Sequence, residues 1–466
     1  MGSVTDRLED ALAREAPSWG IRPVPHASRT LSGLDLGVLW GDLSIGLLVL
    51  VTGALLVPAL GLPAAALAIG IGTVVGCVPL GLVAAAGARE GVPAMVLFRP
   101  SLGRIGSYLP SLANLIQLAG WTAFEFWAIG RVANAAARDL FGVDAGLAWL
   151  VVTAIACTAL ALAGPVFAVR RWLERVGIWV LLGVGIVLTV RVTTGGLGAL
   201  WSQPGAGGLP FWLAVDLVIA MPVSWLPLVA DYTRFGRDPR EAAIGSAVGY
   251  ALGNAWFYLL GTLLVLAAGA AADPLDIGST IAAAAGGAVV LLALLAGETD
   301  QAMANVYSAA VTVQNVRPAW SQRWLIVSVG VLGFAIAAGI GIDAAATLEA
   351  FLLLIGSVFV PLFGVFLAHW GIHARGRYGE AALFDTAPSG TRWGSVAAWA
   401  LGFLAYQWCA PTTLVGWWAD ALERVIGGWL GLPFPLIPNA ALGGSLPGFV
   451  VAFVAALVLA RLRGRR

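Results

Sequence analysis

The chain has 466 residues, 59% of them hydrophobic and 11% charged, with a mean hydropathy of +0.89. That leaves too little polar surface to coat a soluble globule of this length, so a membrane protein is expected. Net charge is +1, which gives no reason to expect a nucleic-acid partner.

The first 30 residues are polar and carry acids as well as arginines, a pattern unlike a cleavable signal, so the first span is expected to act as its own insertion signal. Apolar runs long enough to cross a hydrocarbon core of about 30 Å as helices follow. They are placed near 36–60, 64–87, 107–135, 145–167, 173–191, 209–231, 242–270, 282–312, 323–341, 345–369, 393–410 and 444–461. All 26 basic residues are arginine, and with the N-terminus inside, twenty-two fall on the cytoplasmic side against Arg131, Arg138, Arg191 and Arg424 on the other. This asymmetry supports the orientation, with both termini inside, and an even number of spans; an all-arginine basic set with abundant Ala, Gly and Val points to a GC-rich bacterial genome, so a bacterial cytoplasmic membrane is expected.

Two spans are expected to break at membrane depth. The first, LWGDLSIGLLVLVTGALLVP, holds Gly41, Gly46 and Gly53 with Asp42 and Ser44 near its start. The sixth, DLVIAMPVSWLPLVADYTRF, has Pro222 and Pro227 around Ser224 and Trp225, and each proline removes a backbone donor. Interrupted helices five spans apart are the mark of an inverted five-plus-five repeat with a site at the midplane. An indole beside broken backbone also offers a flat surface for an aromatic ring. Asp231 to Arg234, at the end of the sixth span, read as a cytoplasmic anchor.

Two further spans carry polar stripes. In NLIQLAGWTAFEFWAIG, Gln117, Trp121 and Glu125 recur every four residues and lie nearly above one another on a helix. A carboxylate there costs roughly 2.5–3.5 kcal/mol on insertion scales, which points to a substrate path, an ion site or a buried partner. In LLAGETDQAMANVYSAA, Glu298, Gln301 and Asn305 share one face, while Thr299, Asp300 and nearby carbonyls offer oxygens to a cation. Cys77, Cys157 and Cys409 fall in apolar spans and read as small core residues. No histidine cluster, metal-ligand spacing or nucleophile motif points to an enzyme or to a cofactor.

These segments resemble the nucleobase-cation-symport-1 transporters, which include cytosine permeases and hydantoin and allantoin transporters. The resemblance is carried by the first-span stretch ending ALLVPALGL, by GAREGVPAMVLFRPSLGRIGSYLPS, by GW within QLAGWTAFEFW, by ADYTRFGR and by ANVYSAAVTVQN, in family order from about residue 25 to 370. It implies an all-α membrane fold of about twelve helices, a leucine-transporter-like five-plus-five inverted repeat plus two peripheral helices. The expected layout is a tail over 1–33, repeats over 34–191 and 209–371, a loop over 372–392, and peripheral helices with the C-terminal tail over 393–466.

The resemblance further implies that Trp121 stacks on the substrate ring, with Trp225 near the second family aromatic. Glu125 falls where the hydantoin transporter has a substrate-binding glutamine, Gln117 near the glutamine preceding GW in the cytosine permease, and Asn305 on the ligand-bonding asparagine. Ala296, Thr299 and Asp300 fall on the sodium-site positions, with first-helix carbonyls from around Gly41 to Ser44. Sodium-binding members have two hydroxyl residues where this chain has Thr299 and Asp300, so Na+ or H+ is left as the coupling ion. With Ser224 and Gln301 lining the same space, the expected function is cation-coupled import of a planar nitrogen heterocycle, a nucleobase such as cytosine or a purine. The alternatives are hydantoin or allantoin, a vitamin-precursor pyrimidine, or an amine or amino acid carried by the same fold.

Overall fold

The computed structural model describes residues 19–164, 178–194, 196–285, 287–339, 344–384, 390–436 and 442–463. Among these residues the chain is helical, and the strand-like pairing is an isolated bridge between Leu31 and Gly236. The helices that frame the site and its surroundings are α1 (Gly33–Asp42), α2 (Leu47–Ala54), α3 (Leu62–Glu90), α4 (Tyr108–Phe141), α5 (Gly146–Ala163), α6 (Ile178–Thr193), α7 (Phe211–Ser224) and α8 (Val229–Thr233). They continue with α9 (Pro239–Ala268), α10 (Pro274–Ala285), α11 (Ala288–Val316), α12 (Gln322–Gly339), α13 (Ala344–Leu367), α14 (Trp393–Cys409) and α15 (Ser445–Arg463).

Each expected span holds a helix, although 165–177, which includes the start of the fifth, lies outside the described residues. Among the described residues seven helical stretches are long and apolar enough to cross a membrane, α7 and α8 taken together being one of them, or eight with α1 and α2 counted as one bent span. α4 and α11, the two that carry the polar stripes, are not among them. α4 also runs past its expected end to a left-handed cap at Gly142 (φ 67°), and α10 forms a separate helix ahead of α11.

The first span breaks as expected. Ser32 caps α1 by accepting from the Asp35 N–H (3.2 Å), and the Asp35 carboxylate accepts from the Ser32 N–H in return (2.7 Å). The helix stops at Asp42, resumes at Leu47, and bends by 59° between the two. The sixth span breaks between Ser224 and Val229, where Pro227 supplies no donor.

α9 lies along α1, α2 and α3, and α3 packs on α7, forming one group of helices. α4, α5, α11 and α12 pack on one another in a second group, while α13 reaches from α7 to α14 and α15. Glycines at spacing four let α1 and α9 touch backbone to backbone: a Cβ on Gly245 would run into the Gly33 carbonyl oxygen, and one on Gly249 into that of Gly37. The free cysteines 77, 157 and 409 are buried.

Candidate functional site

The two breaks expose backbone groups at a depth where water is not at hand, so side chains must satisfy them. At the first break they come from α11. The Leu47 N–H donates to Glu298 Oε1, and Gln301 Nε2 donates to the Ile45 carbonyl at 3.1 Å. Glu298 and Gln301 are three residues apart and therefore share a helix face. Gly46, between the two stitched groups, has no room for a side chain, since a Cβ there would lie 2.5 Å from Glu298 Oε1.

At the second break the stitches come from α4. Gln117 Nε2 donates to the Ser224 carbonyl at 2.8 Å and to Asn114 Oδ1 at 2.8 Å. Asn114 Nδ2 in turn donates to Thr312 Oγ1 (2.8 Å) and to the Pro227 carbonyl (3.4 Å). The Ser224 hydroxyl is spent on the Met221 carbonyl at 2.6 Å, so Ser224 contributes its backbone to the site. Gln117 likewise uses its amide N–H groups on structure, while its Oε1 has no partner among the described residues.

Along α4 the expected stripe is present and buried. Trp121 packs edge-on against Phe351 of α13 (ring centroids 5.3 Å) and lies beside Phe124 (6.5 Å). Its indole N–H and Glu125 Oε2 have no hydrogen-bond partner among the described residues. The Glu125 carboxyl faces that of Glu298, close enough for the two groups to hydrogen-bond, a bond that needs one proton because a carboxylate only accepts. Asp42, fully buried at the end of α1, lies within electrostatic range of Glu298, and neither of its oxygens has a partner among the described residues. Cys157 is an electrostatic neighbour of both Glu125 and Asp300.

Trp225 is placed differently from Trp121. Its indole N–H donates to the Tyr250 hydroxyl (2.9 Å), and its ring meets Trp40 edge-on at 5.6 Å. Asn305 is buried one turn beyond Gln301 on α11; Asp300 is buried and Thr299 half-buried. Ala296 falls on α11, but its side chain lies outside the described residues. Ser44 donates to the Gly41 carbonyl at 2.6 Å, on the side of α1 that faces α9. Asp42, Asn114, Phe351, Trp40 and Tyr250 complete the surroundings. Asp42 was visible as an acid in an apolar span, whereas nothing distinguishes Phe351 in sequence from a core phenylalanine.

One end of the site is closed by packed side chains. Arg234, expected as a cytoplasmic anchor, is fully buried, donating to the Gly20 carbonyl (2.6 Å) and to the Tyr307 hydroxyl (3.0 Å). Asp231 accepts from the Ala94 N–H at 2.9 Å, and Arg99 holds Asn315 Oδ1 at 2.9 Å. Burial pushes Arg99 down to about 10, which leaves it charged at neutral pH. Toward the other end a cavity of about 910 Å³ reaches down to Trp127, rimmed by Arg131, Asn134 and Asp276.

The family described as permeases for cytosine/purines, uracil, thiamine and allantoin matches residues 23–431. The chain is 30% identical over 330 residues to the cytosine permease of Escherichia coli (strain K12), covering 69% of this chain and 73% of that one. It is 23% identical over 467 residues to the hydantoin permease of Microbacterium maritypicum, covering 93% of each. Its fold is similar to that of Mhp1, a nucleobase-cation-symport-1 family transporter, in a closed conformation with bromovinylhydantoin bound, with a TM-score of 0.78 at 18% identity over 96% of both chains. A Na+-coupled sialic acid symporter shares the fold at a TM-score of 0.62 and 12% identity, over 98% of this chain and 96% of that one. The broken first and sixth helices thus belong to the inverted-repeat transporter architecture expected above, and the chain is a member of the cytosine/purine permease family.

Proposed function

We propose that this permease imports a planar nitrogen heterocycle bearing N–H donors, a nucleobase such as cytosine or a purine, by cation-coupled alternating access. The observation that carries this reading is the set of polar atoms without partners on one stripe of α4: Gln117 Oε1, the Trp121 indole N–H and Glu125 Oε2. Two acceptors and one donor beside an aromatic face match a ring with an amine or ring N–H next to a carbonyl. Asn305 adds a group that both donates and accepts. The likeness to cytosine permeases favours the same class. Hydantoin is the second reading, favoured by the hydantoin permease matching over 93% of each chain.

Coupling belongs to the buried acids. Asp42, Glu125 and Glu298 form no ion pair among the described residues, so a cation joining them relieves the cost of gathering negative charge in a low-dielectric interior. Sodium held by Thr299, Asp300, Ala296 and first-helix oxygens near Gly41 and Ser44 is one such cation, and a proton is the other. The arginine-rich face is the cytoplasmic one in this reading, in a bacterial inner membrane.

The test is uptake of radiolabelled cytosine, uracil, adenine, hypoxanthine and hydantoin into proteoliposomes under separate sodium and proton gradients. Accumulation of at least one base over an equal-sized amino acid is expected. Transport of amino acids with no base accumulated would end the proposal. At fixed pH, sodium raises substrate affinity if it is the coupling ion, whereas a proton-coupled carrier ignores sodium and follows the pH gradient.

A further inference from the structure

Between its last two spans the chain makes an excursion that the transport site does not use. α14 starts just after Arg392 and ends at Cys409, at the other side of the membrane, and α15 begins at Ser445. In between lies a linker helix, Gly416–Glu423, continued by a π-helical turn, Arg424–Trp429. With eight residues followed by six it is too short to cross a hydrocarbon core, which takes about 20. Both of its ends are tied to the end of α14. Before it, the Thr412 N–H donates to Gln407 Oε1 at 2.9 Å, and the Trp418 indole N–H in its first turn donates to the same oxygen at 3.0 Å. Past it, the Trp408 indole N–H donates to the Pro433 carbonyl at 2.8 Å, and the Leu436 N–H to the Trp408 carbonyl at 2.9 Å. The helix is therefore held across the end of α14, with its rotation fixed.

Held this way, it shows three faces. Trp418 and Leu422, at spacing four, turn to the protein, where the Trp418 ring lies 5.9 Å from that of Phe403. Asp420, Glu423 and Arg424 form an exposed polar face. On the third, Trp417, Ala421 and Val425 recur every four residues, and the wider π-helical turn keeps Trp429 in line with them. Trp417 is 68% exposed and Trp429 83%. A run of exposed apolar side chains marks an interaction surface, and tryptophan is the residue enriched at the headgroup level of a bilayer. The spans on either side are themselves exposed on apolar flanks, at Leu401 and Leu404 of α14 and at Leu446 and Val450 of α15, so the helix sits at the edge of a lipid-facing surface.

We infer that this linker helix is an interfacial anchor, lying in the plane of the bilayer surface with Trp417, Ala421, Val425 and Trp429 among the upper acyl carbons and with Asp420, Glu423 and Arg424 in water. Its partner is the apolar edge of the bilayer and not headgroup charge, because the polar face carries two acids to one arginine and the apolar stripe carries no charge.

The experiment uses the full chain in phosphatidylcholine liposomes, with a spin label attached through Trp417→Cys, Val425→Cys, Trp429→Cys, Asp420→Cys or Glu423→Cys, one at a time. The native cysteines are buried and stay in place, and protein without an introduced cysteine measures their background. Power saturation compares access of oxygen, which concentrates in lipid, with access of a water-soluble nickel chelate. Labels at Trp417, Val425 and Trp429 are expected to favour oxygen, and those at Asp420 and Glu423 the chelate. Adding phosphatidylglycerol should leave this pattern unchanged. Trp417→Glu combined with Trp429→Glu should shift a label at Val425 toward the chelate. Equal chelate access on the stripe and on the polar face would place the helix in water and overturn the proposal. Shielding of the stripe from both reagents would overturn it in favour of a second copy of the chain seated there. Immersion that requires phosphatidylglycerol, or a Val425 label unmoved in the double variant, would overturn it as well.

Discussion

The breaks in the first and sixth helices are satisfied by the same device with opposite chemistry. Each is stitched by two side chains three residues apart on a facing helix, Glu298 and Gln301 for the first, Asn114 and Gln117 for the second. At the second break both stitches are amides that donate to carbonyls, and the arrangement is neutral. At the first, a carboxylate takes an N–H, and Asp42 and Glu125 stand close to that same carboxylate. A neutral break holds its shape whatever the ionic surroundings, whereas a break held by crowded acids depends on what balances their charge. Under the proposed function, the first break is the one suited to respond to a coupling cation and the second to serve as a fixed frame for the substrate.

The comparison is most severely tested at Gly46. Gly46→Ala places a methyl against Glu298 and Gln301, and overpacking of this kind costs up to about 3 kcal/mol. Thermal unfolding in detergent should fall markedly and uptake should vanish; a stable, active alanine variant would mean that the stitch is loose.

Next comes Trp121→Ala, expected to cost on the order of 1–3 kcal/mol of ligand binding, the magnitude for a base stacked on an aromatic ring. Trp121→Phe should lose less. Unchanged affinity by isothermal titration would remove Trp121 from the substrate frame.

A smaller effect is expected from Gln117→Leu, which orphans the Ser224 carbonyl at a cost of about 1–2 kcal/mol. If the second break is a frame, this loss of stability should be the same with and without sodium. A sodium-dependent loss would erase the distinction between the breaks.

The mildest change in stability belongs to Glu125→Gln, which keeps the shape and adds a donor. Its signature is an altered ranking among cytosine, uracil, adenine, hypoxanthine and hydantoin in competition uptake, because each edge mismatches a new donor differently. Asp300→Asn completes the set: gradient-driven accumulation should stop while counterflow persists. Full accumulation by that variant would leave Asp300 a packing residue.

Sequence alone carried the architecture furthest where backbone chemistry is local. Pro227 and Gly46 mark the two breaks without any knowledge of packing, whereas Pro222, Gly41 and Gly53 stay inside helices, and the spacing of Gln117, Trp121 and Glu125 fixes a stripe on one helix. What pairs with what was not legible. Glu298 meets Leu47 across 251 residues and Gln117 meets Ser224 across 107, and no periodicity encodes such a meeting. Gln117 therefore reads in sequence as a group facing the ligand, although its N–H groups hold the backbone. Arg234 reads as a cytoplasmic anchor because it ends a span; the Gly20 carbonyl and the Tyr307 hydroxyl, both distant in sequence, enclose it instead. Phe351 is hidden for the opposite reason, being one apolar side chain among many.

The glycine seam between α1 and α9 gives the two breaks a mechanical link. Tyr250 stands beside Gly249 in the seam and holds the Trp225 indole at the second break, while Trp40, on α1, meets the same indole edge-on. With backbones in contact, α1 has no clearance to swivel without carrying α9 along, so the two helices form a single lever that ends on Trp225. A methyl wedged in at Gly249, against the Gly37 carbonyl oxygen, would part the two helices and loosen both contacts on the Trp225 ring while touching neither the buried acids nor the α4 stripe.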